Sequence, residues 1–180
     1  DLLTKIHRQL ADLLSVDMSD AAHRRFGASV ADWPVFPDTV PSLEYLQNHY
    51  KLVILSNIDN ASFVGSNRRL RITFDAIYTA QDIGSYKPSQ RSFDFLLAQL
   101  ATQGIEKSNI LHVAQSLFHD HAPAKSVGMA SAWIDRRHDK SGWGATPPPA
   151  AEIAVDFRFD SLADFVVAHR QSLAARSEPR

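Results

Sequence analysis

Three short apolar runs, each closing on polar residues, constrain this chain most. They are Lys51-Leu52-Val53-Ile54-Leu55-Ser56, Phe74-Asp75-Ala76-Ile77-Tyr78-Thr79 and Ile110-Leu111-His112-Val113-Ala114. Such brief, nearly continuous hydrophobic runs suit strands buried on both faces of a parallel sheet. A fourth run, Ala130-Ser131-Ala132-Trp133-Ile134, has the same character, and Ile153–Phe157 reads as a last edge strand. Helix-period stretches separate them, at 60–70, Phe93–Leu100 and Ala122–Val127, with a final helix capped by Ser161 and running to about Ala175. Strands alternating with helices build βαβ units, so the expected fold is α/β: a mostly parallel sheet with helices on both faces.

The first 50 residues are different in kind. Leu2, Leu3, Ile6, Leu10, Leu13 and Leu14 recur at helical spacing, and Ser19-Asp20 starts a second helix that Gly27 would stop. Asp32-Trp33-Pro34-Val35-Phe36-Pro37-Asp38 places two prolines within four residues, which excludes helix and marks a hinge. A further helix starts at Asp38 or Thr39 and leads to Tyr50. The reading divides the chain into a helical part, 1–35, and an α/β core, 36–180.

Charge excludes several partners. Nineteen Lys+Arg against twenty Asp+Glu give a net charge of -1, too balanced for a nucleic acid or an anionic membrane to be the main partner. No apolar run approaches the roughly 20 residues that cross a bilayer, and the first residues lack a signal-peptide layout. A cytoplasmic location is therefore expected. There are no cysteines, so disulfides, thiolate metal sites and a cysteine nucleophile are excluded.

In open parallel sheets chemistry gathers beyond the carboxyl ends of the strands. The first run ends in Ser56-Asn57, whose hydroxyl and amide can hold an anionic oxygen, or simply cap a helix. Lys87, in Gly84-Ser85-Tyr86-Lys87-Pro88, sits in extended backbone before a helix and can neutralise an anion, or lie solvated at the surface. The third run leads through Gln115 and Ser116 to Asp120 at the start of the next helix, where a carboxylate is favoured by the helix dipole. The intervals are 31 residues from Ser56 to Lys87 and 33 from Lys87 to Asp120.

These three signals in this order resemble the motifs of the haloacid dehalogenase-like hydrolase superfamily. Ser56-Asn57 looks like its second motif, Tyr86-Lys87-Pro88 like its third and Gln115 through Asp120 like its fourth. Phe74-Asp75, Ile83-Gly84 and Ala124-Lys125-x-x-Gly128 extend the likeness over roughly 36–170, and it is strongest to the type II 2-haloacid dehalogenase branch. The resemblance implies a Rossmann-like core, with 1–35 as the remnant of a helical cap. It implies Lys87, Ser56, Asn57 and Asp120 as catalytic residues, and Ser116, Gln115 and Tyr86 as substrate-binding ones. The expected partner is a small anionic molecule, and a homodimer stays open as an assembly.

The sequence departs from the family twice. The family nucleophile, an aspartate closing the first strand ahead of a Gly-Thr turn, has no counterpart upstream of Ser56, so an N-terminal truncation is expected. The activity would then belong to a longer parent, with the present chain inactive alone and its sheet opened where a mid-sheet strand is lacking. The fourth motif reads Ala114-Gln115 where the family has Gly-Asp, which removes one carboxylate from a magnesium site. The expectation is a metal-independent dehalogenase without cofactor, cleaving a carbon–halogen bond through an aspartyl ester. The alternatives are a magnesium-dependent phosphatase with Asp120 as a metal ligand, or an inactive fragment. His112 reads as a satisfied core histidine, and His119 and His121 as a solvated helix start.

Overall fold

The computed structural model describes residues 2–177. Helix α1 (Leu2–Leu13) packs on α2 (Asp20–Ala28), which Ser19 caps through its side chain. A single 3-10 turn, Ser29–Asp32, leads from α2 towards the proline hinge and presses on α4 (Asn60–Leu70). The approach is so close at Gly65 that a side-chain carbon there would run into Ala31, which is why a residue without a Cβ stands mid-helix. Leu10, Leu13 and Leu14 remain exposed, so the apolar stripe that forms α1 is only partly used against α2.

The core follows as α3 (Thr39–Leu46), β1 (Val53–Ser56), α4, β2 (Ala76–Thr79), α5 (Ala80–Ile83), α6 (Gln90–Ala101), β3 (Leu111–Ala114), α7 (Ala122–Ser126), β4 (Ala130–Ile134), β5 (Phe157–Phe159) and α8 (Leu162–Ser177). All strand pairings are parallel, and helices flank the sheets, as the alternation requires. The expected edge strand at Ile153–Phe157 lies later, at Phe157–Phe159. The Asp156 carboxylate is engaged by Ser131 N and Lys125 Nζ, and pairing with β4 begins one residue on, at Phe157.

The strands do not form one sheet. β1 pairs with β2 (Val53 opposite Ala76, Ser56 opposite Thr79), while β3, β4 and β5 form a separate three-stranded sheet. β1 and β3 each have one partner, and both line a single cleft of about 880 Å³. Val53, Ile54 and Leu55 contribute from one side and Leu111, His112, Val113 and Ala114 from the other. Phe93, Leu96 and Leu100 of α6 with Ala124 and Met129 form a core against which Val53, Leu55 and Ile110 pack, so the two half-sheets share one apolar base.

A second cluster, Leu46, Ile134, Leu162 and Val166, joins α3 to α8. Asp38 locks it. Its carboxylate accepts from both Arg136 guanidinium nitrogens at 3.0 and 3.1 Å and from the Leu162 and Ala163 amides, which open α8. That one residue caps a helix, answers a cation and anchors the end of the hinge.

Candidate active site

Lys87 is the centre of the site. It follows α5, whose Thr79–Asp82 capping box and left-handed Gly84 turn the chain back towards the sheet. Asn57, just beyond β1, fixes the lysine backbone from both sides: Lys87 N donates to Asn57 Oδ1 at 2.7 Å and Asn57 Nδ2 donates to Lys87 O at 2.9 Å. The ammonium then donates to Leu55 O at 2.7 Å and to Asp120 Oδ1 at 2.6 Å. Leu55 and Asn57 flank Ser56, so the end of β1, the lysine and the carboxylate meet at one place on the wall of the cleft.

Asp120 lies in a π-turn, Leu117–His121, that Ser116 caps by accepting from His119 N at 3.0 Å. The turn folds the carboxylate inward, and the ion pair with Lys87 is buried on both sides, at 11% and 10% side-chain exposure. Burial alone would push this carboxyl up. The hydrogen bond from His112 and the charge of Lys87 outweigh it and hold the group down at about 2. Asp120 is thus an anion throughout the neutral range.

The structure brings Lys87, Asp120 and Asn57 together by direct bonds, with Ser56 between two residues bonded to Lys87. Ser116 is spent on capping, and Gln115 accepts from the Trp133 indole through its backbone oxygen. Tyr86 is 57% exposed. One histidine differs from expectation. His121 is fully buried rather than solvated, its Nε2–H donating to Ala114 O at 3.0 Å while Nδ1 has no partner. Burial lowers its pKa and keeps it neutral. His112 is enclosed and hydrogen-bonded, as a satisfied core histidine should be, and its partner is Asp120, with Nε2 at 3.1 Å from Oδ1. The signal for it was available: Ala114 leads straight to the Asp120 turn, and a strand's period of two puts residue 112 on the same face as 114.

A magnesium ion at Asp120 would need oxygen ligands around it. Asp120 Oδ1 is already taken by an ammonium and an imidazole, position 115 offers a neutral amide, and among the described residues no group of three or more His, Asp or Glu is placed to hold a metal.

The model of one family, the haloacid dehalogenase-like hydrolases, matches residues 3–134. The chain belongs to that family. The match starts well upstream of the expected likeness, taking in α1 and α2. Pyrimidine 5'-nucleotidase YjjG of Escherichia coli is 26% identical over 113 residues, 62% of this chain and 49% of that protein, so the chain spans about half the length of this curated relative. An L-2-haloacid dehalogenase of known structure is 24% identical with a TM-score of 0.74, over 96% of this chain and 72% of that one. A haloacid dehalogenase-like hydrolase from Bacillus subtilis bound to magnesium is 17% identical with a TM-score of 0.72, over 92% and 70%. At such identities the structural likeness carries the fold, α/β with parallel sheets, while dehalogenases and a nucleotidase both stand among the similar proteins.

Proposed function

We propose that this chain supplies the anion-handling side of a 2-haloacid dehalogenase and that the nucleophile is an aspartate on a strand lying between β1 and β3. The single observation that carries the reading is the placement of the Lys87 ammonium on the wall of the cleft. An ammonium has three N–H groups. Two go to Leu55 O and Asp120 Oδ1, which leaves one for an incoming anion.

The cleft supports the strand. β1 and β3 are parallel-sheet members with one partner each, and the unpaired ladder groups on their cleft-facing edges are a template for a further strand. A strand inserted there would satisfy both edges. Its last residue would sit level with Ser56 and Ala114, beside Lys87.

The chemistry follows from that placement. The aspartate oxygen attacks the carbon bearing the halogen, the carbon–halogen bond breaks and halide leaves with its electron pair. Water then attacks the ester carbonyl, the hydroxy acid departs and the carboxylate is restored. Lys87 keeps the nucleophile ionised. Asn57 holds Lys87 in register, Ser56 donates to the substrate carboxylate, Gln115 lines the cleft, and Ser116 and Tyr86 are the further substrate-binding residues of this reading. Asp120 orients the ammonium. With the division at residue 35, α1 and α2 would belong to a cap.

The second reading is a magnesium-dependent phosphatase, favoured by the likeness to a nucleotidase. Against it stands the donor set, because a cation at Asp120 would compete with an ammonium 2.6 Å away. The test is an assay of the chain alone, and of the chain extended at its N-terminus by an apolar strand ending in Asp-x-x-Gly-Thr. Chloride release from 2-chloropropionate without added metal, by the extended chain only, is expected. Magnesium-dependent phosphate release from a pyrimidine nucleotide would select the second reading, and turnover by the chain alone would refute the missing nucleophile.

A further inference from the structure

Asp120 Oδ1 receives two donors, and only one of them is explained by the reaction. Lys87 Nζ lies 2.6 Å away and His112 Nε2 3.1 Å away, on the same oxygen. His112 belongs to β3 and the acid to the π-turn eight residues on, so the imidazole ties strand to turn. Its side chain is 10% exposed. The ring stands edge-on to Phe93 of α6, centroids 5.3 Å apart, and to His121 at 6.2 Å. Phe93 and His121 are themselves fully buried, so the ring is backed by fixed neighbours on the side away from the cleft. The titratable or charged groups facing it are Lys87, Asp120 and His121.

We infer that His112 is a positioning residue for the site: its Nε2–H holds Asp120 Oδ1 in place from the strand side, and so fixes where the Lys87 ammonium points. This rests on the reading of Lys87 as the group that meets the anion. The tautomer follows from the acceptor. Asp120 is ionised and can only accept, so the ring nitrogen facing it carries the hydrogen. With Oδ1 held between imidazole and ammonium, the carboxylate cannot rotate to take a second N–H from Lys87. That third N–H therefore stays directed at the cleft. Without the imidazole, the carboxylate would be free to turn and chelate the ammonium, drawing it off the cleft wall. A histidine kept only for packing would need its shape but not this donor.

The experiment uses NMR of the full 180-residue chain and needs no turnover, so its failure is distinct from failure of the dehalogenase reading. Side-chain nitrogen spectra at neutral pH would show the His112 ring protonated at Nε2, and a slowly exchanging Lys87 ammonium signal. In His112→Leu, similar in bulk but without a donor, the Lys87 signal should be lost or shifted and the Asp120 carboxyl carbon displaced. His112→Gln, which restores an N–H near the position of Nε2, should bring both back. A folded His112→Leu with Lys87 and Asp120 signals unchanged would overturn the inference. Should that variant fail to fold, the wild-type tautomer decides: a ring protonated only at Nδ1 would put a lone pair against the carboxylate and overturn it equally.

Discussion

Lys87 Nζ and Asp120 Oδ1 meet at 2.6 Å although 33 residues separate them in the chain. Both side chains are almost wholly buried. A buried pair of this kind is costly to break from one side, because the remaining charge has no partner. Removing one member typically costs ~3–5 kcal/mol. Asp120→Ala should therefore lower the thermal midpoint sharply, while the double variant Lys87→Met with Asp120→Leu should recover much of the loss. A double variant as unstable as the single one would show that the pair is not the source of the effect.

Acid should unfold the chain in two stages. His121 has its pKa lowered from 6.5 by burial, and His169 has its own lowered by burial and by the nearby His49 and Arg176 charges. The unfolded chain takes up these protons first, so stability is complete above about pH 6.5 and declines below it. Asp120 has a folded value of about 2 against an ordinary 3.8, so its contribution is intact above about pH 4 and is lost as pH falls towards 2. His121→Gln, which keeps a donor for Ala114 O, should flatten part of the upper stage. Melting midpoints measured from pH 7 to pH 3 check this, and an unchanged upper stage in the variant would contradict it.

Asn57 and Lys87 share two hydrogen bonds. Asn57→Ala removes both, and a partly exposed pair of neutral bonds is worth about 1 kcal/mol each. The melting loss should stay near that size, while the loss of activity in the strand-extended protein should be disproportionate, because the lysine segment loses its anchor. Equal, small losses in both would reduce Asn57 to a turn residue.

Asp38 closes the core from the hinge side. Asp38→Ala strips the cap from α8 and leaves Arg136 beside Phe36 without its carboxylate. A lost cap costs ~1 kcal/mol and a half-buried ion pair adds to it. Proteolysis should then begin at the start of α8; cleavage confined to the 138–150 loop would contradict the role given to Asp38.

Much of this was legible in the sequence because buried parallel strands and capped helices leave local signals. Val53–Ser56 and Ala130–Ile134 carry their own apolar patterns, and Ser19 its cap. The polar residues that follow the Phe74–Thr79 and Ile110–Ala114 runs pointed to Lys87 and Asp120 before any geometry was known. What escaped depends on contacts between distant segments. The Asp38–Arg136 clamp joins residues 98 apart, and nothing near either one marks the other. The π-turn at Leu117–His121 carries His121 into the interior, where a simple helix start would have left it at the surface. The lack of a mid-sheet strand predicts an opened sheet, but which edges pair to give the two half-sheets is encoded in no single run.

Hydrogen exchange reports on that split. Amides of β4, paired on both sides, should exchange slowly. A share of those in β1 and β3, which face the cleft, should exchange orders of magnitude faster. Adding the proposed strand should protect them. Uniform protection of β1, β3 and β4 in the chain alone would mean that the cleft is closed in solution.

The most direct measurement is chloride release from 2-chloropropionate by the strand-extended protein, compared with its Lys87→Ala variant, in the absence of added metal. The variant should fall by on the order of 100-fold or more, with the protein still folded. A folded Lys87→Ala protein that releases chloride at the parent rate would contradict the assignment of Lys87 as the group that keeps the nucleophile ionised.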